Sequence, residues 1–308
     1  DFSEQAVSQI LLRSRQMNLS MERARKYDYT RHDEPWANEE LHGMRILIVG
    51  KDRSALKLAQ MLNYGFNCQL FGFEGSDSLE AYNLQPLGPM GFLELSASMD
   101  YIFLCTDERG RLDLNRNVDA SGLEAPEMRF SGSGVAVLGT GRIGSRIARI
   151  ARLGFNCKVT AFSTTEKPEL TGLGIRYAST VHGAISDAEF IFIALPLNES
   201  TRSLITSDEI GRLSSDRSRV LVNVTRDKLI DSQSLFGCLS SGMLMKYSTD
   251  VLPNDAILWQ GGQPDDMTKK FVQHMNVVAT PHEGDCSRKS LERMLDDVVE
   301  SLWQMLKR

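Results

Sequence analysis

The sequence predicts an α/β protein with two Rossmann-like, doubly wound parallel sheets in tandem and amphipathic helices at both chain ends. Two observations carry this prediction. A glycine-rich turn, Gly139-x-Gly141-x-x-Gly144, directly follows the apolar run 135–138, which suits a buried parallel strand, and opens an amphipathic helix. The strand pattern of this region also occurs 89 residues earlier in the chain (139 − 50 and 154 − 65). Such an internal repeat is typical of a duplicated structural unit.

Length and composition fit a globular protein of two domains. The chain has 308 residues, of which 42% are hydrophobic and 24% are charged, and its formal net charge is −5. This charge gives no reason to expect a nucleic-acid partner. No apolar run approaches the length of a membrane span, so a membrane-spanning protein is not expected either.

The five cysteines are scattered and form no C-x-x-C pair. We therefore expect neither a disulfide framework nor a metal site, and we expect a reducing compartment, either the cytosol or the mitochondrial matrix. The chain opens on Asp1, which we interpret as a removed leader or a missing N-terminal segment.

Residues 1–43 are predicted to form an amphipathic helix and a polar connector. Apolar and charged residues alternate at helical spacing from residue 3 to residue 26, and Ser3 is a possible N-cap. The basic residues of this helix, Arg23 among them, are expected on a solvated face. An acidic partner is the alternative.

Residues 44–130 are predicted to be a degenerate Rossmann-like unit followed by a linker. Asp52 and Ala55 stand where the second copy has glycines, so side chains fill the approach of a diphosphate and an aspartate repels it. Glu74 stands where a ribose-binding acid belongs. We nevertheless expect a structural role for this copy and no bound dinucleotide.

Residues 131–285 are predicted to bind a dinucleotide. Gly139 permits the tight turn, Gly141 lets a diphosphate approach the backbone, and Gly144 lets the helix pack closely on the strand. Two further residues of the turn belong to the predicted cofactor site, Arg142 and Ile143. A purely structural glycine turn is the alternative.

The expected cofactor is NAD or NADP. An acid about 20 residues after the turn normally binds the adenosine ribose of NAD, but Ser163 and Thr164 occupy that position here. Hydroxyl groups do not repel a 2′-phosphate, and Arg142 and Lys167 are close enough in sequence to pair with one. NADP is therefore slightly preferred, and a loosened site with little preference is the alternative.

The rest of the second copy alternates strands and helices in the βαβ manner. Its stretch between residues 250 and 276 is rich in Pro, Gly and Asp and is expected to be irregular. Residues 286–308 are predicted to close the chain with an amphipathic helix. The remaining predicted strands are 189–195, 219–224, 244–250 and 276–279, and the helices lie near 207–213 and 232–240.

Three polar residues follow predicted strands of the second copy, namely Arg226, Asp255 and His282. Ligands of open α/β sheets bind beyond the carboxyl ends of the strands, so the three side chains are expected to converge there. A guanidinium that holds a carboxylate, an imidazole that donates a proton and a carboxylate that keeps the imidazole charged are suited to carbonyl reduction. Each residue also has an alternative without a catalytic role. Arg226 would form a surface ion pair, His282 would bond to loop backbone, and Asp255 would form a turn.

The second copy resembles the nucleotide domain of the D-isomer-specific 2-hydroxyacid dehydrogenases over residues 131–308. Residues 3–7 resemble that family's linker helix. The motifs that carry the resemblance are Gly139-x-Gly141-Arg-Ile-Gly144, Leu195-Pro-Leu-Asn-Glu-Ser-Thr-Arg202, Val222-Asn-Val-Thr-Arg226, Asp250-Val251 and Thr280-Pro-His282.

The resemblance implies hydride transfer between a nicotinamide and a small 2-oxoacid or 2-hydroxyacid. Arg226 would bind and polarise the 2-oxoacid, His282 would donate the proton, and Asp255 would take the place of the family's glutamate. Asp250 would lie near the nicotinamide, and Pro196 belongs to the expected cofactor site. The resemblance also implies a homodimer, or a subunit of a larger assembly.

Departures from the family's pattern keep a second function open. Asp255 is one methylene shorter than the usual glutamate, Asp227 replaces a glycine, and Glu283-Gly-Asp285 replaces a more apolar sequence. The family's separate substrate domain is not recognisable. The alternative to an enzyme is therefore a catalytically silent, dehydrogenase-like subunit with a structural, regulatory or assembly role that retains a dinucleotide or has lost it.

Overall fold

The computed structural model describes most of the second copy and separate parts of the first. Contacts divide the chain into two compact units, one of Asp1–Ile10, Leu41–Ser133 and Ala148–Lys158, the other of Leu11–Glu40, Gly134–Ile147 and Val159–Arg308. The predicted domain limits stay predictions. The residues described are 7, 17–27, 40–49, 53–73, 84–87, 98–99, 101–104, 130–211, 219–284, 287, 290, 293–294, 296–297 and 300.

The first unit contains a parallel four-stranded sheet with the order β3-β2-β1-β4. Its central strand is completely buried at Ile46, Leu47 and Ile48, as expected for a parallel sheet. The positions Asp52 and Glu74 lie outside the described residues. The elements are β1 (Arg45–Val49), α2 (Arg53–Gln60, continued by a π-helical turn Met61–Gly65), β2 (Gln69–Phe73), β3 (Gln85–Leu87) and β4 (Tyr101–Leu104).

The second unit contains a seven-stranded sheet with the order β11-β10-β9-β8-β5-β6-β7. If β5 is numbered as strand 1 and the order is read from the β7 edge, it becomes 3-2-1-4-5-6-7. This is the doubly wound order 3-2-1-4-5-6 extended by one strand, so the Rossmann-like prediction is confirmed. The strands are β5 (Gly134–Leu138), β6 (Lys158–Phe162), β7 (Arg176–Tyr177), β8 (Phe190–Ile193), β9 (Val220–Asn223), β10 (Lys246–Thr249) and β11 (Val277–Ala279).

Helices flank this sheet and close its core. The N-terminal helix α1 (Met17–Arg25) precedes both sheets and contacts β11. None of the helices in the described part of the chain is long and apolar enough to cross a bilayer. The others are α3 (Arg142–Arg149, continued by a π-helical turn Ile150–Gly154), α4 (Pro168–Thr171), α5 (Val181–Ile185), α6 (Ser207–Gly211), α7 (Ser232–Ser240), α8 (Asp255–Trp259) and α9 (Asp266–Gln273).

The two copies repeat each other in structural detail as well as in sequence. The bounds of β1, α2, β2 and β4 fall 89 residues before those of β5, α3, β6 and β8 (134 − 45, 142 − 53, 158 − 69 and 190 − 101). Equivalent thiols also donate equivalent hydrogen bonds, from Cys68 Sγ to the Leu41 carbonyl at 3.2 Å and from Cys157 Sγ to the Phe130 carbonyl at 3.1 Å. The offset inferred from the sequence therefore extends to individual contacts.

Equivalent π-helical turns of the two copies pack on each other within the first unit. A Cβ added to Gly154 would lie 2.8 Å from the Gly65 Cα, whereas a Cβ added to Gly65 would lie 3.5 Å from the Gly154 Cα. The next residues, Phe66 and Phe155, meet edge to face with their centroids 6.3 Å apart. Because it has no side chain, Gly154 allows the close approach of the two backbones.

The stretch between β10 and β11 is helical, so the prediction of an irregular segment was wrong. Asp255 opens α8, and Asp265 caps α9 by accepting a hydrogen bond from the Thr268 N–H at 2.7 Å. Phe271 on α9 is buried in the core of the second unit. At the chain end, described positions between Ser290 and Glu300 are helical, and the rest of the predicted C-terminal helix lies outside the described residues.

Candidate active site of the second unit

Two glycines of the turn after β5 lie directly against neighbouring backbone, whereas the glycine between them faces empty space. Gly139 has a φ of +96°, and a Cβ there would lie 2.6 Å from the Ala194 carbonyl oxygen. A Cβ on Gly144 would overlap the Gly139 carbonyl at 1.8 Å, whereas a Cβ on Gly141 would meet nothing within 4 Å. The open space lies where a diphosphate would approach the backbone, so the turn fits a dinucleotide.

The first turn of α3 adds polar groups to this site. Arg142 and Ile143 are exposed, and Ser145 Oγ donates to the Thr140 carbonyl at 2.8 Å. The Thr140 hydroxyl is buried and has no hydrogen-bond partner within the described part of the chain. A buried hydroxyl without a partner is costly, which is a second indication that this turn is built for a ligand.

A lysine lies beside the turn, in the region predicted to bind the adenosine ribose. Ser163 is half-buried and Thr164 is exposed at the end of β6. Lys167 Nζ donates to Ser145 Oγ at 3.0 Å, and the Lys167 N–H donates to the Tyr177 hydroxyl at 3.2 Å. The ammonium group therefore stands next to the N-terminus of α3, with no carboxylate at the two positions after β6.

His282 and Asp255 form a hydrogen-bonded pair. His282 Nδ1 lies 2.7 Å from Asp255 Oδ2, and the two side chains are 27% and 15% exposed. Asp255 occupies the first position of α8, after Asn254 with a φ of 56°. The aspartate engages Nδ1, which sets how the other ring nitrogen, Nε2, is oriented. The predicted convergence of these two residues is thus observed.

The loop that carries His282 is anchored by Asp250. His282 itself has a positive φ of 54°, which is uncommon for a side chain of this size. The Asp250 carboxylate accepts the N–H groups of Glu283 at 3.1 Å and Gly284 at 2.8 Å, and it also accepts the Thr280 hydroxyl. Asp250 thereby fixes the backbone on both sides of His282, and its nearness to a nicotinamide stays a prediction.

Arg226 does not bond to the His282–Asp255 pair. Its side chain is exposed, and Nη1 donates to the Thr225 carbonyl at 2.6 Å. The turn itself is fixed by Asn223, whose Nδ2 donates to the Arg226 carbonyl at 2.8 Å. The guanidinium is therefore accessible. The structure brings His282 and Asp255 together, but it does not bring Arg226 into contact with them.

Asp227 connects the Arg226 turn with the helix of Asp255. Its Oδ2 accepts the N–H of Asn254, the residue before Asp255, at 3.2 Å. The sequence marked Asp227 only as a departure from the family pattern. Its carboxylate instead ties the loop after β9 to the N-terminus of α8, which brings the exposed Arg226 into the same region as the pair.

Two contacts of the His282 loop were missed by the sequence reasoning. The Trp259 ring packs on the His282 imidazole with centroids 4.8 Å apart. Arg23 on α1 pairs with Glu283, Nη1 to Oε2 at 2.9 Å, and the side chains are only 18% and 15% exposed. The expectation that Arg23 lies on a solvated face was therefore wrong, because Glu283 offers it a partly buried partner. The contact between Trp259 and His282 had a signal in the sequence. Trp259 follows Asp255 by four residues, so the two side chains lie on one face of a helix.

Comparison with known proteins identifies the second copy. A family model described as "D-isomer specific 2-hydroxyacid dehydrogenase, NAD binding domain" matches residues 108–284. A glyoxylate reductase of Korarchaeum cryptofilum is 28% identical over 172 residues, which are 56% of this chain and 48% of that protein. A glyoxylate/hydroxypyruvate reductase A of Arabidopsis thaliana is 30% identical over 174 residues, 56% of this chain and 51% of that protein. The chain thus matches about half the length of these curated relatives.

Solved structures agree on the fold. The D-lactate dehydrogenase of Aquifex aeolicus, complexed with NAD and lactic acid, covers 85% of this chain and 95% of its own, with 18% identity and a TM-score of 0.54. At this identity the likeness shows the fold alone. The family model, in contrast, covers more than half of the 308 residues. The chain therefore belongs to the family of D-isomer specific 2-hydroxyacid dehydrogenases, of which it carries the NAD-binding domain.

Proposed function

We propose that the second unit is a nicotinamide-dependent reductase that interconverts a small 2-oxoacid and the corresponding 2-hydroxyacid. The observation that carries the proposal is the half-buried His282–Asp255 pair, in a chain that also has the open glycine turn of an NAD-binding domain. An imidazole whose Nδ1 is held by a carboxylate is suited to general acid–base work through Nε2.

The residues of this chain have distinct tasks in the proposed reaction. NAD(P)H, when bound, supplies the hydride that reduces the substrate carbonyl carbon. His282 Nε2 donates a proton to the carbonyl oxygen, and together with the hydride this gives the carbonyl group two electrons and two hydrogens, so that it becomes an alcohol. Asp255 stabilises the protonated ring and holds its orientation, and Arg226 pairs with the substrate carboxylate.

The arginine supports the choice of a 2-oxoacid over an aldehyde or a simple ketone. Arg226 presents an exposed guanidinium from a turn that Asn223 fixes and that Asp227 ties to the helix of Asp255. A planar guanidinium binds a carboxylate by two parallel hydrogen bonds, which orients the adjacent carbonyl. The relatives are named glyoxylate reductase, glyoxylate/hydroxypyruvate reductase and, for a Dictyostelium discoideum protein that is 26% identical over 180 residues, "Putative D-lactate dehydrogenase". These names make glyoxylate, hydroxypyruvate and pyruvate the substrates to test.

We further propose that the unit prefers NADPH to NADH. Lys167 stands beside Ser145 in the first turn of α3, and Ser163 occupies the position of the acid that would repel a 2′-phosphate. A charge-assisted hydrogen bond contributes about 1.5–3 kcal/mol. Lys167→Ala should therefore raise KM for NADPH by about tenfold or more and leave KM for NADH nearly unchanged, as steady-state kinetics with both cofactors would show. Equal changes for both cofactors would contradict the preference.

The reductase proposal is tested by following cofactor oxidation with glyoxylate, hydroxypyruvate and pyruvate. We expect turnover by the natural chain and a loss of about 10²-fold or more in kcat for His282→Ala. His182→Ala, on α5, replaces a histidine outside the proposed site and should retain activity. A chain that binds cofactor yet turns over none of the three substrates would contradict the reductase and favour a catalytically silent subunit.

A further inference from the structure

The single helical turn α8 contacts His282 twice. Asp255 and Trp259 are its first and last residues, and their i, i+4 spacing places both side chains on one helix face. Asp255 Oδ2 lies 2.7 Å from His282 Nδ1, and the indole centroid lies 4.8 Å from the imidazole centroid, at an interplanar angle of 57°. This separation lies within the range of favourable aromatic packing.

The hydrogen bond alone leaves the imidazole one freedom. A ring held at Nδ1 can still pivot about the line from Nδ1 to Oδ2, and this pivot displaces Nε2. The hydrogen bonds of Asp250 go to the N–H groups of the next two residues, so they hold the loop backbone and not the plane of the imidazole. An aromatic ring packed against the imidazole opposes this rotation, and the indole of Trp259 packs there.

The exposure of Trp259 argues against a role in the hydrophobic core. Its side chain is 44% exposed, although large apolar groups are normally buried. Leu258, its neighbour on the helix, is 6% exposed and belongs to the core cluster, so α8 is anchored by another residue. The indole is therefore retained at the surface beside the imidazole without being needed to hold the helix on the sheet.

We propose that Trp259 is a positioning residue for His282, keeping Nε2 of the imidazole in the orientation from which it donates its proton. The proposal rests on the proposed reductase function only where it predicts an effect of Trp259 on the turnover rate. The contact itself is a property of the unliganded chain. The charged groups around the imidazole are Asp255, Asp250 through the loop backbone, and Glu283 with its partner Arg23.

The first test is a pH titration of tryptophan emission without cofactor or substrate. A protonated imidazole in contact with an indole quenches its fluorescence, so emission from Trp259 should rise as His282 loses its proton. His282→Gln should abolish this pH-dependent component, and Trp259→Phe should remove it while Trp36 and Trp303 remain. An unchanged pH dependence in His282→Gln would overturn the contact, whatever the enzyme does.

The second test separates positioning from packing. Trp259→Ala should lower kcat by about tenfold or more and shift the pH–rate limb that depends on His282, with KM for the cofactor unchanged. Trp259→Phe should recover most of kcat, because a flat ring still faces the imidazole. Ile257→Ala, another exposed apolar position of α8, is the matched control and should retain natural kinetics. A natural kcat and pH profile in Trp259→Ala would overturn the positioning role.

The two tests fail independently. If the natural chain turns over no 2-oxoacid, the reductase proposal falls, and the emission titration still decides whether Trp259 contacts the titrating imidazole. If turnover is present and the Trp259 variants match the natural chain in kcat and pH profile, the reductase stands and the positioning role falls.

Discussion

At the scale of single residues, the first prediction concerns the charge of Asp255 in the proposed reaction. Asp255→Asn keeps the size of the side chain but removes the negative charge that stabilises the protonated imidazole of His282, so we expect kcat to fall by about 10²-fold or more. Asp255→Glu restores the family's carboxylate with one more methylene and should retain part of the activity. Steady-state kinetics of both variants checks this, and equal activity of Asp255→Asn and the natural chain would contradict it.

A second residue-scale prediction concerns pH and stability. Hydrogen bonds from the Ser234 side chain and backbone lower the pKa of Asp231, the N-cap of α7. A lowered folded-state pKa contributes stability above the unfolded pKa, and this contribution is lost as pH falls through the folded pKa. Asp231→Ala should therefore cost about 0.5–2 kcal/mol at neutral pH and progressively less in acid.

Asp231→Asn is the control for this cap, because asparagine caps a helix about as well as aspartate but does not titrate. Urea denaturation at several pH values should find Asp231→Asn close to the natural chain at low pH. A cost of Asp231→Ala that stays constant from neutral to acidic pH would show that the ionised carboxylate is not what stabilises the helix.

The sequence located the His282–Asp255 pair but not the residues around it. His282 and Asp255 stood out because each follows a predicted strand, and parallel strands bring their carboxyl ends to one edge. The Arg23–Glu283 pair joins residues 260 positions apart, so no local pattern marks it. Arg226 was placed correctly after its strand, but the direction of a long exposed side chain depends on contacts that spacing does not encode.

At the scale of elements, the close approach of the two π-helical turns makes a sharp prediction. A Cβ on Gly154 meets backbone at 2.8 Å, so Gly154→Ala should destabilise the chain by about 1–3 kcal/mol. Gly65→Ala is the matched control, since its Cβ makes an ordinary contact at 3.5 Å and alanine favours the helix. Denaturant unfolding should separate the two variants, and equal stabilities would contradict the geometry.

Strands made of apolar runs could be predicted from the sequence, whereas helices that depend on capping residues could not. The buried strands β5, β8 and β9 were found from apolar runs, because such runs are typical of buried parallel strands. The predicted β5 was one residue too short, and the ends of β8 and β9 were one or two residues too long, because strand ends carry little pattern. Helices α8 and α9 were missed because their Pro-, Gly- and Asp-rich surroundings resemble a loop. The same aspartates serve as the first residue of α8 and the N-cap of α9.

At the scale of the whole molecule, cofactor binding should appear as stabilisation. A ligand that binds only the folded chain raises its stability by RT ln(1 + [L]/Kd), which is about 2.7 kcal/mol at 100 times Kd. Thermal unfolding should therefore shift upwards with NADPH and with NADH, and more with NADPH. No shift with either cofactor at millimolar concentration would contradict the dinucleotide site.

We also propose that the chain forms a homodimer or joins a larger assembly. Part of the N-terminal helix is covered within the chain, since Ala24 is buried in the core of the second unit. At the other end, Met294 lies at a helical position and is 51% exposed. Light scattering at micromolar concentration should give a multiple of the 34.4 kDa chain, and Met294→Lys should lower it. A clean monomer would refute the assembly.

The two parallel sheets are the part of the whole molecule that the sequence located most closely. The offset of 89 residues read from the sequence also holds for the bounds of equivalent strands and for the paired thiol contacts. The origin of this offset in a duplication stays a prediction. What the first copy contributes to function was not predictable in the same way. Asp52 was identified as a departure from a working phosphate turn and Glu74 as a match to the ribose-binding acid, and both lie outside the described residues.

The central claim, that this chain reduces a 2-oxoacid by hydride transfer with His282 as proton donor, is tested most directly by isotope transfer. The chain is incubated with NADPH or NADH deuterated at the transferring position of C4, and with glyoxylate, hydroxypyruvate or pyruvate. We predict a 2-hydroxyacid with one deuterium at C2, of D configuration for hydroxypyruvate and pyruvate, which His282→Ala forms about 10²-fold or more slowly. Product without deuterium at C2, an L product, or no product from a chain that binds the cofactor would contradict the account.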